Sequence, residues 1–170
     1  KYLFFHLWVQ GARRYSRLMV GGEKFPLRCT YRPEGGNVSH YSWRNNAEIL
    51  LTVLDSSGKL KYILIDILSG HEHVLGETSL TEDGHPSFSP TNTDCILSDT
   101  YPDKFRNQSV FLYDVRADKK RRLAYFYSPR KFFGEQRCDL HPRFSPDGSK
   151  VCVDSPHLGR RGMVVMTLEN

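Results

Sequence analysis

Three histidines stand in the same local setting at three places along the chain. His40 begins the segment HYSWRNN, His85 begins HPSFSPTN and His141 begins HPRFSPDG. In each copy an aromatic residue follows three positions later, and a turn rich in Asn, Asp, Gly or Pro comes next. Imidazole nitrogens that converge on one point form a good site for Zn, Mn, Fe or Ni. The three histidines are therefore candidate metal ligands. The residues leave two alternatives open, a purely structural hydrogen-bonding role and a metal-free catalytic role.

Neighbouring side chains could complete such a metal site. Gln136, Cys138 and Asp139 lie just before His141, and Asp83 lies just before His85. Cys138 and His141 have a Cys-x-x-His spacing that suits zinc, whereas an added carboxylate or amide oxygen favours a harder ion. We therefore expect a divalent metal cofactor, Mn or Zn.

The elements that must position these histidines are β-strands. After each turn comes a short apolar run: EILLTVL from Glu48, DCILSD from Asp94 and KVCVD from Lys150. A second apolar run follows after a loop, and two copies continue into a further short run. Such runs, β-branched or aromatic and bounded by Gly, Pro, Asn and Asp, are typical of strands. No window of helical length has a clean helical period, so the sequence predicts almost no helix.

The repeat itself indicates the architecture. Four strands in a repeat of roughly 40 to 56 residues are typical of a β-propeller blade. We predict an all-β fold, a β-propeller of four-stranded antiparallel blades. About two complete blades (residues 37–80 and 81–136) lie between two partial ones (1–36 and 137–170). Since propellers close with typically about 4 to 8 blades, the chain is expected to form part of a larger or self-associating propeller. A β-sandwich is the alternative, and the internal repetition disfavours it.

The predicted blades place further polar residues around the histidines. In a propeller the first strand of each blade lines the channel, and equivalent positions of successive blades lie at the same height. The histidines should therefore form an arc at one mouth, where the loop between the second and third strands also opens. Arginine on these loops suits bidentate binding of a carboxylate or sulfate. The loop residues are Tyr101, Lys104, Arg106, Gln108, His157, Arg160 and Arg161, with Arg13 and Arg14 in the first partial blade.

The charge balance favours an anionic partner. Lys and Arg number 24 against 19 Asp and Glu, for a net charge of +5. A nucleic-acid surface would interleave exposed aromatics with basic residues in a recognisable fold, and the basic run DKKRR at residues 118–122 instead resembles a solvated turn. We expect no nucleic-acid partner. No apolar run reaches about 18 residues, so no membrane-spanning helix is expected.

The HPRFSPDG and HPSFSP elements resemble the TolB-type β-propeller repeat. Together with the His-x-x-Trp element at His40, they resemble more narrowly the propeller polysaccharide lyases, such as oligogalacturonate lyase and the ulvan lyases. The resemblance covers most of the chain from Asn37 onward. It implies that His40 and His85 bind a divalent metal in the central channel. A glutamine helps to bind the metal in that family, and Gln136 stands at the matching position before His141. The family has a second histidine two residues before the repeated one, and Asp83 and Asp139 stand there in this chain.

These observations predict a carbohydrate-active propeller that acts by β-elimination on a uronate-containing, acidic polysaccharide or oligosaccharide. A base, His157 or Tyr101, removes the proton α to the carboxylate while the glycosidic oxygen departs. The metal and an arginine, Arg106 or Arg160, neutralise the carboxylate. The alternative is a non-catalytic TolB-like propeller that binds a protein or a glycan, because fold alone does not settle function. A protein partner or self-association is expected to close the propeller.

Overall fold

The computed structural model describes residues 1–33 and 36–169, with the side chains of residues 4–6, 13 and 14 outside that description. Within these residues the chain forms β-strands and one short 3₁₀ helix, Gly134–Gln136. The strands are β1 (Tyr2–Gln10), β2 (Arg13–Gly22), β3 (Phe25–Tyr31), β4 (Asn37–Trp43), β5 (Glu48–Leu54), β6 (Leu60–Asp66), β7 (Glu72–Leu75), β8 (Ser87–Phe88), β9 (Cys95–Asp99), β10 (Asn107–Asp114), β11 (Lys119–Tyr127), β12 (Arg143–Phe144), β13 (Lys150–Ser155) and β14 (Gly162–Thr167). In the described part of the chain, no helix is long and apolar enough to cross a membrane.

Four antiparallel sheets follow one another along the chain. Sheet 1 has the order β1-β2-β3, sheet 2 β4-β5-β6-β7, sheet 3 β8-β9-β10-β11 and sheet 4 β12-β13-β14. In each sheet, strands that follow one another in sequence also pair in space. The sheets form an arc that does not close into a ring. This confirms the predicted fold class, an all-β partial propeller of antiparallel blades.

The hydrophobic core lies between sheets. Buried residues form three clusters, and each joins two neighbouring sheets. In β5, Ile49 and Leu51 enter the cluster shared with sheet 1, whereas Leu50 between them enters the cluster shared with sheet 3. Because successive side chains of a strand point to opposite faces, a strand buried on both faces is apolar at every position. That is why the run EILLTVL does not alternate between polar and apolar residues.

The third core, between sheets 3 and 4, offers a matched stability test. Val153 on β13 is fully buried in it, while Val165 on β14 is 62% exposed. Val153→Ala is expected to lower the free energy of unfolding by about 2 kcal/mol, because it removes buried methyl groups and leaves a cavity. Val165→Ala should change it by less than about 0.5 kcal/mol. Urea unfolding of both variants measures the difference, and equal losses would contradict this assignment of the core.

The inner strands of sheets 3 and 4 are very short. β8 and β12 contain two residues each, and each directly follows a His-Pro pair, His85-Pro86 and His141-Pro142. Proline has no backbone N–H to donate to a strand ladder, so pairing begins only after it. The two histidines therefore stand just outside the paired strands. His40, by contrast, lies within β4, beside a break in its register with β5.

Candidate metal centre

The structure brings the three predicted histidines together. The ring centroids of His40 and His85 are 4.5 Å apart, and those of His85 and His141 are 4.0 Å apart. Each ring comes from the start of a different sheet, so the arc of imidazoles follows from the sequence repeat. All three rings line one shallow depression of about 360 Å³.

Carboxylates orient two of these rings. Nδ1 of His40 lies 3.2 Å from Oδ1 of Asp83, whose other oxygen accepts a hydrogen bond of 2.6 Å from the Ser39 hydroxyl. Nδ1 of His85 lies 3.0 and 3.1 Å from the two oxygens of Asp99. Nε2 is then the nitrogen available to a ligand in both rings. A carboxylate behind the ring is the usual support of a metal-binding histidine.

Asp99 joins the candidate site although no motif in the sequence marks it. It is fully buried at the end of β9, and its carboxylate also accepts hydrogen bonds from the backbone N–H groups of His85, at 2.7 Å, and His141, at 3.1 Å. Asp99 thus fixes one ring of sheet 3 and the backbone that carries the ring of sheet 4. Gly84 makes this arrangement possible, because a Cβ there would lie 2.8 Å from the carbonyl carbon of Asp99 and closer still to its oxygen.

The closest set of possible metal ligands is His85, Asp139 and His141, whose ligand atoms all lie within 4.8 Å of one another. Asp139 is only 9% exposed. Its Oδ1 lies 2.8 Å from Nε of Arg137 but accepts no hydrogen bond in the described structure. A buried carboxylate beside two imidazoles offers the mixed oxygen and nitrogen ligands that suit a divalent cation such as Mn²⁺ or Zn²⁺. His141 has a φ of 41°, uncommon for a residue other than glycine, as observed at many functional sites.

The electrostatic environment of the rings favours a cation. Burial opposes protonation of His85, but the hydrogen bond to Asp99 and the charges of Asp99, Asp139 and Asp83 outweigh it and raise the pKa of His85. Burial tends to raise the pKa of Asp83, yet hydrogen bonds from His40 and Ser39 hold that pKa below its usual value. The carboxylates around the rings therefore supply negative charge that a bound cation would neutralise.

Tyr101 and Arg137 complete the rim of the site. The Tyr101 ring lies 5.6 Å from the His85 ring in an edge-on arrangement, and the guanidinium of Arg137 lies 4.7 Å from the centre of the Tyr101 ring. Burial and the charges of Asp83 and Asp139 raise the pKa of Tyr101 to about 12, so the phenol keeps its proton at neutral pH. Arg137 stands between two predicted ligands, Gln136 and Cys138, but no motif in the sequence marks it as a site residue.

Three of the predicted ligands, His40, Gln136 and Cys138, lie outside the closest set, although the His40 ring lies next to that of His85. The side chain of Gln136 is exposed, and the backbone carbonyl oxygen of this residue accepts a 2.8 Å hydrogen bond from the Arg161 guanidinium. Cys138 is buried, which raises the pKa of its thiol. Arg137, Cys138, Asp139, His141 and Arg161 line a second depression of about 450 Å³ next to the rings.

The remaining predicted site residues make contacts of their own. Arg106 donates hydrogen bonds to the carbonyl oxygens of Ser128 and Phe132 and to the Ser128 hydroxyl. Nδ1 of His157 lies 2.9 Å from the Ser155 hydroxyl, and its ring packs edge-on against Phe126. The other placements are as follows: Arg160 is exposed, Lys104 lies over the Phe105 ring, Gln108 is buried, and the side chains of Arg13 and Arg14 lie outside the described residues.

Comparisons with known proteins show which solved structures share the fold. No protein-family model matches the sequence, and a search of curated proteins found no relative. Solved structures do match. TolB from Acinetobacter baumannii has a TM-score of 0.72 at 17% identity, over 91% of this chain and 36% of that one. An oligogalacturonate lyase in complex with manganese has a TM-score of 0.72 at 17% identity, over 95% of this chain and 43% of that one. A putative TolB from Agrobacterium tumefaciens has a TM-score of 0.62 at 16% identity, over 98% and 57% of the two chains.

These identities are low, so the likeness is one of fold. It confirms the predicted TolB-like propeller that resembles oligogalacturonate lyase. The chain spans between about a third and somewhat over half of the length of these three proteins.

Proposed function

We propose that this chain carries the metal centre of a propeller that cleaves a uronate-containing glycan by β-elimination. The observation that carries the proposal is the set formed by two imidazoles, His85 and His141, and the buried carboxylate of Asp139. A bound divalent metal would supply positive charge to the substrate carboxylate, which makes the adjacent proton easier to remove. The likeness in fold to an oligogalacturonate lyase that binds manganese supports the same activity.

His40 is well placed to act as the base. It lies beside the closest ligand set, and Asp83 holds its Nδ1, which leaves Nε2 free to accept a proton. Removal of the α-proton leaves an electron pair that forms the carbon–carbon double bond while the bond to the glycosidic oxygen breaks. Tyr101, which keeps its proton at neutral pH, donates it to the departing oxygen. His157, predicted from sequence as a base, contacts Ser155 and Phe126 instead.

Arg137 is better placed than Arg106 or Arg160 to bind the substrate carboxylate. It contacts both Asp139 and the Tyr101 ring at the rim of the centre. Arg106 already donates to two carbonyl oxygens and a hydroxyl. A guanidinium beside the reacting carbon would add to the charge stabilisation that the metal supplies.

The test is an elimination assay. Wild-type protein incubated with polygalacturonate and Mn²⁺ should produce the ultraviolet absorbance of an unsaturated uronate, and a chelator should remove it. His85→Ala is expected to slow the reaction at least about 100-fold, because it removes a ligand of the metal. His71→Ala, which alters an exposed histidine just before β7, is the matched control and should react like the wild type. Equal absorbance traces for wild type and His85→Ala would rule out the metal-dependent reaction.

A non-catalytic binding role is the second candidate. The fold is as similar to TolB as it is to the lyase. In that case the protein would bind a glycan or a protein saturably without producing the absorbance. The same incubation followed by equilibrium binding separates the two functions.

A further inference from the structure

Arg137 contacts Asp139 through only one of the three nitrogens of its guanidinium, Nε, in the described structure. Its Nε donates to Oδ2 of Asp139 at 2.9 Å and lies 2.8 Å from Oδ1, while no other carboxylate among the described residues pairs with this guanidinium. Arg143 shows the complete arrangement, because its two terminal nitrogens bind the two oxygens of Asp154 at 2.8 and 2.9 Å. The two-pronged fork is the stronger and more rigid form of the pair. Arg137 therefore has terminal nitrogens to offer to another group.

Asp139 and Arg137 differ in their access to solvent. The carboxylate of Asp139 is almost fully buried, whereas the side chain of Arg137 is 48% exposed. A buried carboxylate without a nearby cation is strongly destabilising, so some positive charge must accompany it. Arg137 supplies that charge from the rim, and the Tyr101 ring offers its face to the same guanidinium.

Asp139 belongs to the closest ligand set, so Arg137 and a bound metal would compete for the same carboxylate. A cation bound between His85, Asp139 and His141 would occupy the carboxylate that Arg137 now neutralises. We propose that Arg137 is the resident counter-cation of Asp139, that a divalent metal displaces it, and that the freed guanidinium then binds the carboxylate of an acidic ligand. This inference rests on the metal centre of the proposed function. It adds that metal and acidic ligand each raise the affinity for the other, as linkage requires.

The first arm of the test measures Mn²⁺ binding without any reaction. Calorimetric titration of the whole chain should show that Arg137→Gln binds Mn²⁺ about 10-fold more tightly than wild type, because the competitor for Asp139 is gone. Arg137→Lys, which keeps the charge, should bind like wild type. Arg122→Gln makes the same change of charge on β11, where Arg122 lies 4.2 Å from the Tyr125 ring, and should leave the affinity unchanged.

The second arm measures the binding of galacturonate, a monosaccharide with no glycosidic bond to break. In wild type its affinity should rise at least about 5-fold when Mn²⁺ is present, and in Arg137→Gln this gain should disappear. A gain that persists in Arg137→Gln would show that the ligand binds without the guanidinium and would overturn the inference.

The outcomes separate this inference from the function on which it rests. If wild type binds Mn²⁺ and Arg137→Gln binds it no more tightly, or Arg122→Gln tightens it equally, then Arg137 is not the displaced cation, while the metal centre stands. If neither wild type nor Arg137→Gln binds Mn²⁺, both the centre and the exchange are wrong.

Discussion

Asp99→Asn is expected to abolish tight metal binding without altering any candidate ligand. The substitution keeps the shape of the side chain but replaces one acceptor oxygen by a donor, where Asp99 now accepts from His85 and from the backbone of His141. Loss of a carboxylate behind a metal-binding histidine typically costs about 10- to 100-fold in metal affinity. Because Asp99 serves two sheets, we expect a loss at the upper end, about 100-fold. Calorimetric titration with Mn²⁺ or Zn²⁺ measures it.

The same variant should also be less stable. Asp99 is fully buried, and a buried donor left facing another donor loses its hydrogen bond without regaining water. We expect the free energy of unfolding to fall by about 3 kcal/mol in urea. Asp114→Asn is the control, because this exposed carboxylate accepts hydrogen bonds from the backbone N–H groups of Arg116 and Ala117 in its own turn. Metal affinity of Asp99→Asn within about threefold of wild type would contradict the role assigned to Asp99.

Gly84→Ala should be among the most destabilising substitutions in the chain. The added methyl would collide with the backbone carbonyl of Asp99, and a strand backbone cannot move aside as a flexible side chain can. Overpacking of this kind typically costs about 1 to 3 kcal/mol, and a clash with backbone lies at the upper end, so we expect about 3 kcal/mol. The displaced Asp99 should also release His85, so Mn²⁺ affinity should fall together with stability.

Gly162→Ala is the matched control for this substitution. Nothing lies within 4 Å of a Cβ built at Gly162, so the same chemical change meets no obstacle there. Urea unfolding should place Gly162→Ala within about 0.5 kcal/mol of wild type. If the two alanine variants were equally stable, the close approach of Gly84 to Asp99 would not exist in the protein.

The two central strands of sheet 2 could be predicted from sequence because both of their faces are buried. EILLTVL and LKYILID are continuous apolar runs, and they form β5 and β6. The run at residues 118–122 is different: it was expected to be a solvated turn, but Lys119 to Arg122 belong to β11. The ammonium of Lys120 lies 4.1 Å from the centre of the Phe111 ring and donates a hydrogen bond of 3.2 Å to the carbonyl oxygen of Ser79, so its charge has partners there. The charge of this run alone could not reveal that Lys120 packs within a strand.

The site was predictable only where the repeat marks it. The three histidines occupy equivalent places in successive copies, so the repeat alone indicates that they meet. Asp99 and Arg137 have no such signal, since the stacking of sheets 3 and 4 brings Asp99 to the backbone N–H of His141 and Arg137 to the Tyr101 ring. From the sequence, Arg106 is expected to be available to bind a ligand. In the structure its guanidinium donates hydrogen bonds to the carbonyl oxygens of Ser128 and Phe132, in a later loop. Contacts between loops of different length cannot be deduced from the repeat.

The three clusters between the sheets have a consequence for the choice of ion. Each imidazole is carried by its own sheet, and the spacing of sheets 2, 3 and 4 is determined by the buried side chains of the second and third clusters. A change of volume at Leu97, in the third cluster, would tilt sheet 4 against sheet 3 and so widen or narrow the gap between the ligand nitrogens of His85 and His141. Ionic radius could thus be selected by aliphatic and aromatic residues that never touch the ion, which gives such a protein a way to exchange one metal for another without altering a single ligand.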